Sequence, residues 1–471
     1  MRTSIISLTR TLTLALAGAS LVTLHAAEAS ASKPNILVIL ADDLGYGDVG
    51  VHGCKDIPTP HIDALARSGI RFSSGYVTGP LCGPTRAALM TGRHQCRFGH
   101  EFNPPAITEP NPAKLALDLR ETTVADRLKR AGYVTGALGK WHLGEGDAYH
   151  PLSRGFDEFF GFTGGAHSYF MANDKRYGPI VRGRKPVELK GYLTDVLADE
   201  AADFLQRHRA EPFFLYLAFN AVHTPMDAPA DALAKFASVK DPLRRAYAGM
   251  TWKMDQAVGK VMAKLHELDL ADDTLVFFLS DNGGPLVRGA AKNGSSNPPL
   301  RGGKTQLLEG GIRVPFFVSW PGVVPAGKVD DRPVVQLDMV TTALAAAGVK
   351  IDPAWKLDGA DLLPYLTGQS AGLPHESLFW RHGAQWAVRQ GPWKLVRWLD
   401  RRDNDAESKM MDPELYNLVE DIGEARNLIE THPEQARELQ AAWDNWNKSN
   451  IPPVRAKDSP GDPHQRTGKG R

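Results

Sequence analysis

Cysteine is scarce in this chain: 471 residues contain three, Cys54, Cys82 and Cys96. An odd count leaves at least one thiol unpaired or modified, and the ordinary fate of such a residue is burial as a small apolar side chain. A Cys54 to Cys96 disulfide with Cys82 left over stays open, because spacing alone does not show whether two Cα atoms approach. Net charge is missing too. With 55 Lys plus Arg against 54 Asp plus Glu, there is no electrostatic case for binding nucleic acid or an anionic membrane surface, and any anionic ligand must be held by a local cluster. Beyond residue 29 no apolar run is long enough to span a bilayer. Internal repeats and low-complexity blocks are absent as well.

What is present suffices for a large core. Hydrophobic residues make up 42% of the chain and charged ones 23%, with 10 Trp, 18 Phe and 11 Tyr, which excludes disorder as the main state. The length suits about three domains of ordinary size, or one large α/β domain with a satellite. The 33 Pro and 45 Gly predict a loop-rich chain, and loops on a rigid scaffold are where chemistry tends to sit.

Arg2 and Arg10 precede an apolar stretch over 11–24, followed by Ala27-Glu28-Ala29. This is the pattern of a signal peptide, residues 1–29, cleaved near Ala29, and the stretch is short for a retained anchor. Cleavage leaves acidic and basic residues balanced and sends the mature chain to a periplasmic or extracellular space.

Short apolar runs rich in β-branched and aromatic residues recur at 35–41, 133–138, 213–219, 274–280 and 314–320, and near-continuous apolarity predicts strands buried on both faces. Helical patterns lie between them at 59–68, 124–131, 194–208 and 246–268. The alternation predicts an α/β fold, a large, mostly parallel sheet sandwiched by helices, over 33–370. From about His375 the pattern changes to short antiparallel strands at 377–381, 385–389 and 393–398, with Gln390-Gly391-Pro392 as a turn. A smaller α+β subdomain over 375–450 is expected there. It closes with a helix capped by Thr431, with Pro433 in its first turn, whose Leu439, Ala442, Trp443 and Trp446 form a packing stripe. The Pro-, Gly- and charge-rich tail, 451–471, is expected to be disordered.

Chemistry concentrates where these strands end. The first runs into Asp42-Asp43-Leu44-Gly45-Tyr46-Gly47-Asp48 and the fourth into Asp281-Asn282-Gly283-Gly284. Adjacent carboxylates at a buried strand end need a counter-charge. In an open parallel sheet the carboxyl ends line one crevice, so Asp42, Asp43, Asp281 and Asn282 can converge. Such an all-oxygen set suits Ca²⁺ or Mg²⁺ rather than zinc. Two further strand ends deliver Lys140 and His142, in Gly139-Lys140-Trp141-His142, and His223, in His223-Thr224-Pro225. Hard-metal ligands beside cationic donors describe a site for a tetrahedral oxyanion such as phosphate or sulfate. In Cys82-Gly83-Pro84-Thr85-Arg86, Pro84 can start a helix that Gly92 ends. Cys82 then lies just before a helix N-terminus that attracts anions, and Arg86 points back at the same place.

Cys82-Gly83-Pro84-Thr85-Arg86, with the trailing Leu89, Thr91 and Gly92, resembles the Cys-x-Pro-Ser/Thr-Arg signature of the formylglycine-dependent (type I) sulfatases of the alkaline phosphatase superfamily. The resemblance runs from about Lys33 to Asn447, since Asp42-Asp43, Gly139-Lys140-Trp141-His142, His223-Thr224-Pro225, Asp281-Asn282-Gly283, Arg301-Gly302-Gly303-Lys304 and Pro413-Glu414-Leu415-Tyr416-Asn417-Leu418 occur in the family's order. It implies an alkaline-phosphatase-like fold and an exported sulfatase hydrolysing sulfate monoesters. Cys82 would be converted by a separate formylglycine-generating maturation enzyme to Cα-formylglycine, whose hydrate is the nucleophile. One Ca²⁺ per chain would be held by Asp42, Asp43, Asp281 and Asn282, with residue 82 beside it. Arg86 would hold the hydrate, Lys140 and Lys304 would bind sulfate oxygens, His142 would take the hydrate's second proton and His223 would protonate the leaving oxygen.

Residues 42–48 resemble the arylsulfatase and N-acetylgalactosamine-6-sulfatase branch rather than the choline-sulfatase branch, and a sulfated polysaccharide or oligosaccharide is the substrate that this implies. His100, Glu101, Phe102 and Asn103, with Arg154, His167, Trp380, Arg381 and His382, are candidates for the pocket mouth, because aromatic faces beside hydrogen-bonding groups suit a sugar ring. Two alternatives stay open: a phosphate or phosphonate monoester hydrolase of the same superfamily, and a non-catalytic Ca²⁺-dependent sulfoglycan-binding protein.

Overall fold

The computed structural model describes residues 33–104, 116–403 and 407–454. The signal peptide expected at 1–29 lies outside them. The main sheet has ten strands in the order Lys328–Asp330, Ile70–Phe72, Phe316–Ser319, Thr274–Ser280, Asn35–Ala41, Phe213–Ala218, Val134–Lys140, Glu158–Phe162, Val181–Arg182 and Lys185–Pro186. Asn35–Ala41 pairs in parallel with both Phe213–Ala218 and Thr274–Ser280, and the parallel run continues through Val134–Lys140 to Glu158–Phe162. The apolar run at 314–320 proves to be a shorter strand, Phe316–Ser319, and it pairs antiparallel with Thr274–Ser280.

Alternation along the first strand explains why the central strands read as unbroken apolar runs. Leu37, Ile39 and Ala41 face one core, shared with helices Leu193–Arg207 and Pro242–Glu267. Ile36, Val38 and Leu40 face a second, shared with helices Cys82–Thr91, Val124–Arg130 and Leu337–Ala346. Both faces are covered, so polar residues are excluded from either side. Truncating one such Leu to Ala costs about 2–5 kcal/mol.

The C-terminal strands form a separate four-stranded antiparallel sheet, Ser377–His382, Gln385–Gln390, Trp393–Arg397 and Glu414–Asn417. Trp380, Ala387, Val396 and Tyr416 pack towards Tyr76, Leu307 and Ile312, while Trp386, Val388, Leu395 and Leu415 face Leu439 and Trp443 of the terminal helix Pro433–Asn447. Gly391, at φ 54°, makes the turn between the second and third strands. The residue capping the terminal helix is His432, not Thr431, and no side chain caps it; the Thr431 hydroxyl is committed to the Leu428 carbonyl and the His432 ring.

The start of the tail departs from the expected disorder. Ile451 donates to the Cys96 carbonyl at 3.1 Å and Val454 to the Gly99 carbonyl at 2.9 Å, so two backbone bonds fasten residues 451–454 to the body. Residues 455–471 lie outside the described part of the chain. No described helix is long and apolar enough to cross a membrane.

Candidate active site

Four strand ends and one helix start meet at the carboxyl edge of the sheet. Ligand atoms of Asp42, Asp43, Cys82 and Asp281 all lie within 4.8 Å of one another, and all four residues are buried. Cys82 is the first residue of the helix Cys82–Thr91, not the residue before it, and Leu81 is the extended residue ahead of it. The helix ends on Gly92 at φ 69°, a left-handed position where a Cβ would meet Val340 at 2.8 Å.

Ionic contacts hold the cluster. Arg86 donates to Asp281 Oδ2 through Nε at 2.9 Å and Nη2 at 2.8 Å, and through Nη1 to the Lys140 carbonyl at 3.0 Å and the Tyr216 hydroxyl at 3.3 Å. Lys140 Nζ reaches Asp42 Oδ2 at 2.5 Å, and Lys304 Nζ reaches Asp43 Oδ1 at 2.8 Å. Three carboxylates thus face three fixed cations, and a divalent ion would leave the site cationic, as an anionic ester requires. Burial opposes the charge on Asp42, yet Lys140, His223 and Arg86 hold it below the usual carboxylate range. Burial pushes the Cys82 thiol far up, helped by Asp281, so an unmodified Cys82 is protonated and a poor nucleophile.

Burial disfavours the charged form of both histidines. Burial, with Lys140 and Arg86 adding to it, holds His142 well below its ordinary value; burial also lowers His223. His223 Nδ1 is 2.7 Å from the Thr224 carbonyl, which makes Nδ1 the protonated nitrogen of the neutral ring, and Nε2 is 3.7 Å from Asp43. His142 lies under the Gly164-Gly165-Ala166 loop so closely that a Cβ on Gly165 would sit 2.5 Å from Nε2. Asp43 at φ 62° and His142 at φ 60° are left-handed residues that are not glycine. Such conformations persist where surrounding contacts over-determine them, typically at functional sites.

One more group beside the carboxylates fits a bound metal. Asn282 donates its amide N–H to Asp43 at 2.7 Å, while its Oδ1 is buried with no hydrogen-bond partner. An orphaned carbonyl oxygen beside three carboxylates suits a hard cation.

All three cysteines are free. Cys54 bonds Asp56, and Cys96 bonds the Arg381 carbonyl, which removes the disulfide option.

The expected pocket mouth needs correction. His167 is fully buried, its ring nitrogens 2.9 and 3.0 Å from the Ser168 and Gly178 carbonyls, so it braces its own loop. Arg381 spends its guanidinium on Glu101, Asn447 and the Ile451 carbonyl. Arg154 is spent on the carbonyls of Leu117, Asp118 and Glu121, and the Trp380 indole on that of Val77. His100 is buried, and burial lowers it to about 4. His382 is half-buried, held by the Glu101 carbonyl, with its ring 5.2 Å from that of Phe102. Asn103 Oδ1 accepts from Gly83 at 2.9 Å, which brings that loop against the helix start at Cys82.

Two supporting residues were given no role from the sequence: the Tyr216 hydroxyl receives Arg86, and Tyr169 donates to the His223 and Asn220 carbonyls.

The family model described as Sulfatase matches residues 34–349, and that described as N-sulphoglucosamine sulphohydrolase, C-terminal, matches residues 303–446. The chain is 38% identical over 386 residues to N-acetylgalactosamine-6-sulfatase of Canis lupus familiaris, covering 78% of this chain and 72% of the relative. It is 32% identical over 427 residues to steryl-sulfatase of Homo sapiens, covering 74% and 72%. Among solved structures it is similar to Ps i-CgsB in complex with k-i-k-neocarrahexaose, with TM-score 0.82 and 36% identity over 91% of this chain and 96% of the other.

Proposed function

This chain belongs to the sulfatase family and is a sulfuric ester hydrolase, and we propose that it is exported and cleaves sulfated polysaccharides or oligosaccharides through a modified Cys82 and a calcium ion. Membership of the family displaces both the phosphate or phosphonate reading and the non-catalytic one. The observation that carries the proposal is a buried Cys82 at a helix start, against three carboxylates and three cations. A saccharide substrate is supported by the names of the relatives, one a hexosamine sulfatase and one solved with a neocarrahexaose. Export rests on the pattern of residues 1–29.

Oxidised to Cα-formylglycine by a maturation enzyme, residue 82 would supply a hydrated aldehyde as nucleophile, and Ca²⁺ on Asp42, Asp43, Asp281 and Asn282 would polarise the sulfate group. The chain's own groups do the rest. Lys140 and Lys304 neutralise charge on sulfate oxygens, each such donor contributing about 3–4 kcal/mol to the transition state. Arg86, locked onto Asp281 and backed by Tyr216, holds residue 82 and the carboxylates in register. His142 takes a proton from residue 82, and His223, in its imidazolium form with Nδ1–H held by the Thr224 carbonyl, delivers the Nε2 proton to the leaving oxygen and returns to the neutral ring. His382, beside Phe102, is the side chain proposed to meet the sugar.

Mass spectrometry of the peptide across residue 82 in active protein should show thiol-to-aldehyde conversion, and an unmodified thiol in fully active enzyme would reject the mechanism. Sulfate release from a panel of sulfated glycans tests the substrate. His223→Ala should cost far more kcat/KM on a responsive glycan than on 4-nitrophenyl sulfate, whose leaving group needs no acid; equal losses would argue against a poor alcohol leaving group.

A further inference from the structure

We propose that Gln385, on the C-terminal sheet, is a positioning residue for Lys304; the proposal rests on the reading of Lys304 as a sulfate-binding donor. Lys304 is carried by a turn with Gly302 at φ 77° and Thr305 at φ 78°. Thr305 is β-branched, so a left-handed backbone there persists only if its neighbours impose it. Its hydroxyl has no hydrogen-bond partner and contributes nothing. Both of its peptide groups are held instead. Its N–H donates to the Pro80 carbonyl at 2.8 Å, two residues ahead of Cys82. Its carbonyl accepts from Gln385 Nε2 at 2.8 Å, in a buried bond across 80 residues of sequence.

Gln385 is itself fixed. It is 4% exposed, and its Oε1 accepts from Leu399 N–H at 3.0 Å. The Leu399 carbonyl in turn accepts from Gln306 Nε2 at 2.9 Å. One glutamine therefore ties the Thr305–Gln306 peptide, one residue beyond Lys304, to the second strand of the C-terminal sheet, Gln385–Gln390. Other bonds fasten the flanks: Arg301 Nη1 to the Tyr416 hydroxyl at 3.1 Å and the Glu424 carbonyl at 2.6 Å. Gln385 is the side chain that bonds the residue next to Lys304, opposite the Pro80 carbonyl on its other peptide group. The C-terminal sheet thus belongs to the sulfate grip by holding the backbone of one donor; it contributes no atom to the sulfate itself.

The test uses the mature full-length enzyme with Gln385→Met, which loses donor and acceptor, Gln385→Glu, which keeps the acceptor for Leu399 but loses the donor for Thr305, Lys304→Ala, and each Gln385 variant combined with Lys304→Ala. Turnover of 4-nitrophenyl sulfate, inhibition by inorganic sulfate and thermal midpoint are measured for each. Both Gln385 variants should lose roughly 10- to 100-fold in kcat/KM, the scale of a misplaced catalytic donor. Inhibition by sulfate should weaken in parallel. Combined with Lys304→Ala, the same substitutions should cost less than about twofold further, because the group they position is gone. A Gln385 loss of undiminished size in the Lys304→Ala background, or a folded Gln385 variant with full activity and unchanged sulfate inhibition, overturns the proposal. If Gln385→Met does not fold, Gln385→Glu carries the same cycle. Full activity in Lys304→Ala alone would instead overturn the reading of Lys304, and the positioning role with it.

Discussion

Two buried ionic networks lie in this protein, built from nearly the same residue types and doing different things. At the strand ends, Asp42, Asp43 and Asp281 face Arg86, Lys140 and Lys304. Beneath the C-terminal sheet, Lys394 Nζ lies 2.8 Å from both Glu309 and Glu424, while Glu309 also pairs with Arg313 at 3.1 Å and accepts from Tyr76 at 2.6 Å. The second network bridges the sheet to the turn that carries Lys304, and Glu424 accepts from the Glu309 N–H at 2.7 Å. The first retains an orphaned Asn282 oxygen and an orphaned His142 Nδ1, with Asp43 and His142 left-handed; in the second, Glu424 is also left-handed, at φ 50°, but the oxygen it leaves without a hydrogen bond lies 2.8 Å from Lys394 Nζ. Burial of charge is common to both. What distinguishes the site at the strand ends is polar atoms that no neighbouring charge answers, capacity left over for a ligand; left-handed backbone is common to both.

The largest expected effect separates the two outright. Cys82→Ala should reduce sulfate release roughly a million-fold, the scale of losing a covalent nucleophile, with a stability change of about 1 kcal/mol. Assay and calorimetry on one preparation check this, and residual activity above a few per cent would sink the assignment.

Lys394→Met should do the converse. It strands two buried carboxylates and should destabilise the fold by about 3–5 kcal/mol, seen as a lower denaturation midpoint in urea. Lys140→Met should cost about 10²- to 10³-fold in kcat with a smaller stability loss, because Arg86 remains 3.7 Å from Asp42. If Lys140→Met proved the more destabilising of the two, the distinction between working and structural networks would collapse.

A subtler difference appears with pH. Burial raises Glu424 to about 7, while Lys394 and Arg313 overcome burial at Glu309 and hold it down to about 2. A carboxyl raised in the folded state favours folding fully below its unfolded value of 4.5 and loses that contribution as pH rises through about 7. Glu424→Gln should therefore flatten the fall in thermal midpoint between about pH 5 and pH 7.5. His94, His100 and His150, each lowered to about 4 by burial, work in the opposite sense but are common to both proteins. Identical pH profiles would show that Glu424 is not the titrating group.

The smallest effect is expected at the surface. The exposed pair of Arg437 and Glu434 on the terminal helix should contribute no more than about 0.5 kcal/mol, so Arg437→Ala should leave the melting curve nearly unchanged.

Much of the molecule was legible in the chain itself. The runs at 35–41 and 274–280 coincide with their strands, because a strand buried on both faces admits no polar residue and so marks its own limits. The residues that cluster at the sheet's edge could be named because their types are expensive to bury: two aspartates at a strand end have few reasons to exist apart from a cation. Candidates at the mouth failed for the complementary reason. His167 and Arg381 are polar and lie in the right segments, but whether a guanidinium meets a ligand or a neighbouring Glu101 depends on where a distant loop folds back.

Residue type and order alone therefore determined the sheet's central strands, the helix that Gly92 ends and the acidic residues placed at the strand ends, since burial and periodicity are local properties. Tertiary structure alone decided that Tyr216 backs Arg86, that residues 451–454 dock and that Gln385 holds the residue beside Lys304. Each of these rests on one or two hydrogen bonds between segments far apart in sequence, and a hydrogen bond leaves no periodic trace in the chain that makes it.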